Sequence, residues 1–437
     1  MARKTLINGA VNVCRFVVAL TFVFSGYVKA VDPIGTQYKL HDYLQALGLA
    51  SFVPDYLTLS ASVALAAVEL SMGVFLLFAI RRRLVSKLIL AFMAVMTAIT
   101  VWIAIANPVS DCGCFGDALK LTNLQTLLKN VALLAASIVI SRWPTAMVRF
   151  IGRANQWIVI NYTVVYSLAT STYCLYALPV FDFRPYHVGA DIRKGMEIPE
   201  GAEQPQFETT FTLKKNGEVK EFTIDNYPDS TWTFVDSKTV QTSEGYVPPI
   251  HDFSMEDPAT GDDLTDDVLS DKGYTFLLVS PHLENADDTN FGDINQLYDY
   301  ARKQGYRFFA LTASNMKAIA RWKDITGADY PFLFTDETTL KTIIRSNPGM
   351  LLLKNGVVVR KWSHNQLPAL DTDSPSLDKL PEGKLPEDSY GSKIAYTLMW
   401  FFMPLLLLSL ADRTWAWTRR FRHQRPEEKQ DGKRADA

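Results

Sequence analysis

A chain of 437 residues with 44 Lys and Arg against 46 Asp and Glu, and a formal net charge of −2, lacks the concentrated basic face that phosphate recognition needs. This excludes a general nucleic-acid binder. A mean hydropathy near zero conceals a segregation: residues up to about Val180 are mostly apolar, and those from Arg184 to about Ser392 are mostly polar and acidic.

A helix rising about 1.5 Å per residue needs roughly 20 apolar residues to cross a hydrocarbon core of about 30 Å. Six stretches qualify: about Asn12 to Val31, Thr58 to Ile80, Lys87 to Ala106, Leu124 to Ile140, Trp157 to Val180, and Lys393 to Ala411. The first is too long for the apolar core of a signal peptide and holds Arg15, so it reads as a retained helix. Lys and Arg in the connections then set the expected orientation. Arg3 and Lys4, Arg81 to Arg83 with Lys87, Arg142 with Arg149 and Arg153, and the tail from Arg413 to Arg434 fall on one side. The alternate segments carry only Lys39, only Lys120, and the acidic domain. The reading is a multi-pass protein of the bacterial inner membrane, both termini cytoplasmic and the large domain periplasmic.

Three ionisable residues sit in the first two apolar runs: Arg15, Lys29 and Glu69. A charge at bilayer depth costs several kcal/mol unless partnered, so each is expected to face inward. Lys29 is close enough to Asp32 and Pro33 to snorkel or to form a structural ion pair. Glu69 is deeper; it pairs with Arg15 or Lys29, or forms part of a polar pocket for a quinone or proton.

Between the third and fourth runs lies Asp111-Cys112-Gly113-Cys114-Phe115-Gly116-Asp117, which holds half of the protein's four cysteines. A C-x-C disulfide is possible but tight, since its α-carbons must approach within about 4.4 to 6.8 Å, and strain makes such a bond easier to reduce. The start of the next helix favours thiolate, whereas Asp111 and Asp117 disfavour it, so the charges alone leave reactivity open. A redox-active pair and a static structural disulfide both remain. Zinc would need two further ligands, and no histidine lies near in sequence, so no metal is expected. Cys174, toward the end of the fifth run, either reaches this loop or is a small buried apolar residue; Cys14 reads as the latter.

Arg15, the run Phe24-Ser25-Gly26-Tyr27-Val28-Lys29-Ala30-Val31-Asp32-Pro33, the motif Val68-Glu69-Leu70-Ser71-Met72-Gly73, and Cys112-Gly113-Cys114-Phe115-Gly116 together resemble the DoxX-like superfamily, specifically its methylamine-utilisation MauE branch. The resemblance covers roughly Val11 to Ser141. It implies a four-helix membrane bundle associated with thiol or quinone redox chemistry and with maturation of disulfide-containing periplasmic proteins.

Beyond the fifth run, alternation around Lys215-Asn216-Gly217 predicts a β-rich segment with a hairpin. From Tyr246 the pattern changes to strands alternating with helices: a buried run Tyr274 to Val279, a helix ending near Gln304-Gly305, a strand Tyr306 to Thr312, and a hairpin around Lys354-Asn355-Gly356. Pro249-Ile250-His251-Asp252-Phe253 and Ser346-Asn347-Pro348-Gly349 resemble thioredoxin-like proteins of the TlpA and ResA type, which implies a cis-proline at Pro348. Where that family carries Trp-Cys-x-x-Cys, this chain reads Leu283-Glu284-Asn285-Ala286-Asp287, and no cysteine follows Arg184. The domain cannot perform dithiol exchange by itself.

The expected organisation is a bundle over 1–143, a fifth helix within 144–183, a β-rich segment over 184–245, a thioredoxin-like α/β domain over 246–366, a Pro- and Asp-rich tether over 367–392, a sixth helix over 393–411 and a basic tail over 412–437. The expected function is electron transfer through Cys112 and Cys114, with Arg15, Lys29 and Glu69 holding a membrane quinone. The expected partners are the lipid bilayer and a periplasmic protein client or oxidoreductase. A non-enzymatic scaffold whose inactive α/β domain binds a client is the alternative.

Overall fold

The computed structural model describes residues 2–109, 112–202, 206–215, 218–223, 233–243, 245–387 and 390–431. Asp111, the turn residues Asn216 and Gly217, and Lys433 and Arg434 of the tail lie outside the described residues.

The chain is a multi-pass helical membrane protein with a C-terminal α/β sheet domain. Its first half holds α1 (Ala2–Val31), α2 (Pro33–Ala46), α3 (Asp55–Leu77), α4 (Arg82–Ala106), α5 (Asn123–Arg142) and α6 (Gln156–Tyr176). All but α2 are long and apolar enough to cross a membrane, as is the start of the last helix. Their apolar residues divide by face: on α1, Val11, Val18 and Phe22 are buried, whereas Val13, Val17 and Leu20 are exposed. Exposed aliphatic side chains on such a helix are matched to lipid rather than to water. Two glycines let α1 and α3 touch. A Cβ on Gly26 would lie 2.3 Å from the Leu70 nitrogen, and one on Gly73 would lie 2.6 Å from that of Val23. Small residues at these crossings allow the close packing that replaces hydrophobic association in a bilayer.

At the end of α1, Asp32 caps α2 by accepting from Gly35 N at 2.8 Å, and Pro33 takes the first helical position, where no N–H is needed. After α6 come α7 (Ile192–Met196) and a three-stranded sheet of β1 (Gln206–Lys215), β2 (Glu218–Thr223) and β3 (Thr233–Ser243) in the order β2-β1-β3. Lys215 opposes Glu218, so β1 and β2 form the expected hairpin.

The α/β domain contains α8 (Thr265–Leu269), β4 (Tyr274–Ser280), α9 (Phe291–Gln304), β5 (Arg307–Thr312), α10 (Met316–Thr326), β6 (Phe332–Phe334), α11 (Glu337–Ile343), β7 (Gly349–Lys354) and β8 (Val357–Ser363). Its strand order is β6-β5-β4-β7-β8, with β4, β5 and β6 parallel, β7 antiparallel to β4, and β8 antiparallel to β7. Alternation along β4 sends Phe276 and Leu278 into one core with α9 and α10, and Leu277 and Val279 into another with α11. A strand covered on both faces reads as a continuous apolar run, as this one does. Asn355 and Gly356, both at positive φ, close the β7–β8 hairpin, and the Asn347–Pro348 peptide is cis.

Two expectations need correction. Residues 367–387 are not an extended tether: Leu370 and Leu377 enter the core against α9, and the Tyr300 hydroxyl donates to the Pro375 carbonyl at 2.7 Å. Averaged composition misses this because two well-placed leucines suffice to dock a polar segment. The basic tail also does not begin at 412 as a separate element, because α12 (Tyr390–Asp431) runs through it, consistent with its Arg, Glu and Lys content. Asp412 ties α12 to the bundle by accepting from Gly152 N at 2.6 Å and from Asn155 Nδ2 at 2.7 Å.

Candidate functional site

The loop between α4 and α5 turns at Gly113 (φ +64) and Gly116 (φ +53), where residues with a Cβ are disfavoured. At Gly113 a Cβ would also lie 2.9 Å from Lys39 Cγ. The turn faces Cys112 and Cys114 toward each other. Both are free thiols, with their sulfurs 2.6 Å apart.

Three side chains of the bundle hold the loop's backbone. Tyr43 on α2 donates to the Cys112 carbonyl at 2.6 Å. Ser25 Oγ and Lys29 Nζ on α1 lie 2.8 and 2.9 Å from the Cys114 carbonyl. Beneath them Lys29 Nζ meets Glu69 Oε2 on α3 at 2.7 Å, and the Ser25 hydroxyl is 2.7 Å from that same oxygen. An ion pair nearly sealed from solvent is tolerated when further hydrogen bonds satisfy its remaining atoms, and here one of those atoms belongs to a cysteine. Lys29 and Glu69 therefore pair with each other.

The two thiols are unequal. The hydrogen bond from Cys112 holds Cys114 below the usual thiol range against the effect of burial, with the ammonium groups of Lys129 and Lys29 adding to it. The same bond, and then burial, push Cys112 up. Thiolate character at this site thus concentrates on Cys114.

Below the pair opens a cavity of about 360 Å³. Its walls include Phe22, Leu65, Phe92, Met96, Ile99 and Trp102, and its polar end gathers Ser25, Lys29, Glu69, Lys129 and Asn130 with Cys112 and Cys114. The Lys129 ammonium lies 4.1 Å from the centre of the Phe115 ring, and Asn130 donates to Thr100 Oγ1 at 3.4 Å. A large apolar volume with a few convergent polar groups is the composition of a small-molecule site.

Arg15 is not part of this site. Its guanidinium donates to the Leu76 carbonyl at 3.0 Å, to that of Leu77, and to that of Val148 at 2.7 Å. Lys29 lies fourteen positions further along α1, on the order of 20 Å away at about 1.5 Å per residue. Leu76 and Leu77 close α3, where carbonyls run short of intrahelical donors; Arg15 supplies one to Leu77 and a second to Leu76, which also accepts from Ala79 N at 3.1 Å. Cys174 is buried against Val31 and Phe181 and does not line the cavity. Pro348 lies in the sheet domain. There Asn347 accepts from Asp287 N at 3.0 Å and donates through Nδ2 to the His282 carbonyl at 2.9 Å, bracing the loop that lacks thiols.

Several residues here were not singled out by the sequence. Lys129 and Asn130 interrupt the fourth apolar run and were open to the same inference as Glu69. Ser25 and Tyr43 carry no distinguishing signal. Neither does Arg345, which precedes Pro348 by three positions yet lies 3.0 Å from Asp32 and 3.2 Å from Asp117 in the C-x-C loop, over the ring of Tyr38. Burial pushes Asp32 up, but Arg345 and Arg184 outweigh it and hold this carboxyl below its usual range. Among the described residues, no group of three or more His, Cys, Asp or Glu is arranged to hold a metal ion.

No curated protein matches the chain. A crystal structure of an uncharacterized conserved protein from Geobacillus kaustophilus aligns over 32% of this chain and 83% of its own at 15% identity, with a TM-score of 0.23. Residues 207–244, which span most of the three-stranded sheet, match a domain of unknown function, DUF8463. Residues 7–142, which hold α1 to α5, the C-x-C loop and the Lys29–Glu69 pair, match the family described as methylamine utilisation protein MauE.

Proposed function

We propose that this protein is an inner-membrane thiol–disulfide oxidoreductase that passes electron pairs from a periplasmic thiol partner to a membrane quinone through Cys112 and Cys114, in support of the maturation of disulfide-containing proteins. The observation that carries this reading is the position of the C-x-C pair as the roof of an apolar membrane cavity, with the buried Lys29–Glu69 pair hydrogen-bonded to the Cys114 backbone.

The step balances as follows. A partner thiolate attacks one sulfur of the Cys112–Cys114 disulfide, the bond between them breaks, and the partner's second thiol resolves the mixed disulfide. The partner leaves oxidised; Cys112 and Cys114 hold two electrons and two protons. A quinone bound in the cavity would supply a two-electron, two-proton acceptor. Lys129 and Asn130 are the donors placed to hold its oxygens, and the aromatic and methionine walls its ring, while Lys29 spends its three N–H groups on Ser25, Glu69 and the Cys114 carbonyl. Closing the disulfide releases two protons, and Cys114, with the more acidic thiol, gives up its proton first. Ser25 and Glu69 lie on a hydrogen-bonded line from the loop into the cavity that can carry protons.

The sheet order, with three parallel and two antiparallel strands, supports reading the C-terminal domain as thioredoxin-like without its cysteines. That absence also favours the second reading, a membrane scaffold that binds a client without chemistry. Alkylation trapping in intact cells separates the two. The redox reading expects the pair to accumulate as dithiol when respiration is blocked, and Ser at either position to abolish function without preventing membrane insertion. A pair that stays oxidised throughout, with function retained in the double Ser variant, establishes the scaffold instead.

A further inference from the structure

The end of the bundle remote from the C-x-C loop gathers cations. Arg82 and Arg83 open α4, whose 25 residues carry the chain to that loop, on the order of 40 Å at about 1.5 Å per residue. Arg149 and Arg153 lie in the connection from α5 to α6, and hydrogen bonds dock that connection on the start of α4. Arg82 Nη1 donates to the Met147 carbonyl at 2.6 Å, and Arg81 N donates to Gln156 Oε1 at 3.2 Å. Arg83, Arg149 and Arg153 thereby come close enough to repel Arg82, and Arg82 close enough to repel the buried Arg15. Among the described residues, no carboxylate pairs with any of these five. Asp412, which reaches this end, accepts from Gly152 N and Asn155 Nδ2 instead.

The helix starts add to the imbalance. α4 and α6 both begin here, neither with an acidic residue in its first turn nor with a side chain capping it. A helix start carries partial positive charge, which favours an anion and disfavours the cations placed there. Positive charge that served only to orient the chain could be scattered through the connections; here the connections are bonded together so that the guanidinium groups converge. We propose that this end of the bundle holds the headgroup of an anionic phospholipid, with Arg83, Arg149 and Arg153 donating to its phosphodiester oxygens. The guanidinium fork matches the phosphate geometry. Arg83 and Arg149 are exposed, and among the described residues neither side chain makes a hydrogen bond that would compete. A lipid fits better than a dissolved anion because exposed Leu84, Val148 and Trp157 flank the same arginines. Leu84 and Trp157 stand at the starts of helices long enough to cross a membrane, where an indole sits at headgroup level and aliphatic side chains meet acyl chains.

The test uses the full chain in a neutral detergent, with native mass spectrometry reading the lipid bound. The probes are dioleoylphosphatidylglycerol, dioleoylphosphatidylcholine with the same acyl chains, and inorganic phosphate. The choline ammonium is repelled by the same arginines, so phosphatidylglycerol should bind about tenfold tighter. The R83Q/R149Q variant should lose that preference. R142Q removes an exposed charge at the end of α5 that is not among those acting on Arg82, and should leave the preference unchanged. If the double variant does not fold, R83Q and R149Q singly should each lower the preference about threefold. Equal affinity for the two lipids, or a preference that the Arg83 and Arg149 variants leave intact, overturns the proposal. So does an equal loss in R142Q, which would make the attraction a general effect of charge. Displacement of the lipid by millimolar inorganic phosphate also overturns it, by making a dissolved anion the occupant.

Discussion

Two positions on α1 each bury a cation, and they do so differently. Midway along the helix Arg15 is sealed from solvent and spends its donors on the carbonyls of Leu76, Leu77 and Val148. Near the end of the helix, Lys29 meets a carboxylate, a hydroxyl and the backbone of a cysteine, beside an open cavity. Arg15 supplies donors to backbone carbonyls around the end of α3, a structural task. Lys29 links a carboxylate to the backbone of the C-x-C loop. Both side chains are nearly sealed from solvent; what separates them is whether the partner is a carbonyl or a carboxylate and whether space adjoins them.

The comparison breaks most visibly through single substitutions. Lys29→Met leaves Glu69 as an unpaired buried charge and is expected to cost about 3 to 5 kcal/mol, read as lost thermal stability in detergent. Adding Glu69→Leu removes the stranded charge and should restore most of that loss, while quinone-dependent thiol oxidation stays absent. A double variant with normal turnover would make the pair a structural staple no different from Arg15. Arg15→Met takes a donor from buried carbonyls rather than stranding a charge, so the cost is smaller, about 1 to 3 kcal/mol, and molecules that fold should retain full activity. Loss of activity in folded R15M would erase the distinction between the two cations.

Finer tests use pH. Because Cys114 is held below the usual thiol range and Cys112 above it, iodoacetamide should modify Cys114 first. Its labelling should reach half-maximal rate below the pH of an ordinary thiol, near 8.5. Equal rates at both positions would mean that the hydrogen bond between the two sulfurs does not set the thiols apart. The smallest effect concerns Asp32. Its carboxyl is depressed by Arg345, so the clasp between bundle and sheet domain is fully present above the ordinary carboxylate range and is lost only as pH falls through the lower folded value. Limited proteolysis between the two regions should be unchanged from pH 7 to pH 5 and rise only in stronger acid.

How much of this was open to sequence reading follows from the kind of signal each residue leaves. Glu69 and Lys29 stand out because ions in apolar runs are rare, and a buried acid and base in adjoining runs invite pairing. Arg15 stands out equally, but its partners are carbonyls, which every residue has, so no pattern separates it from a quinone ligand. The grip of Arg345 on Asp32 spans 313 positions and depends on how two separately folded regions meet. Leu370 and Leu377 are lost in a stretch whose average composition is polar. The strands of the sheet domain were legible because burial on both faces writes itself as an unbroken apolar run.

The docking of residues 367–387 bears on how far the sheet domain can travel. With that segment packed as far as Gly383, whose carbonyl accepts from the Tyr274 hydroxyl at 3.0 Å, positions 384 to 389 lead to the start of α12. On the other side, Ser363 and Asn365 both donate to the carbonyl of Tyr176, the last residue of α6. The domain is pinned where it leaves the bundle and again where it returns, like a gate hung on two posts. Held at two posts, it stays beside the bundle, and a partner meets it at the membrane.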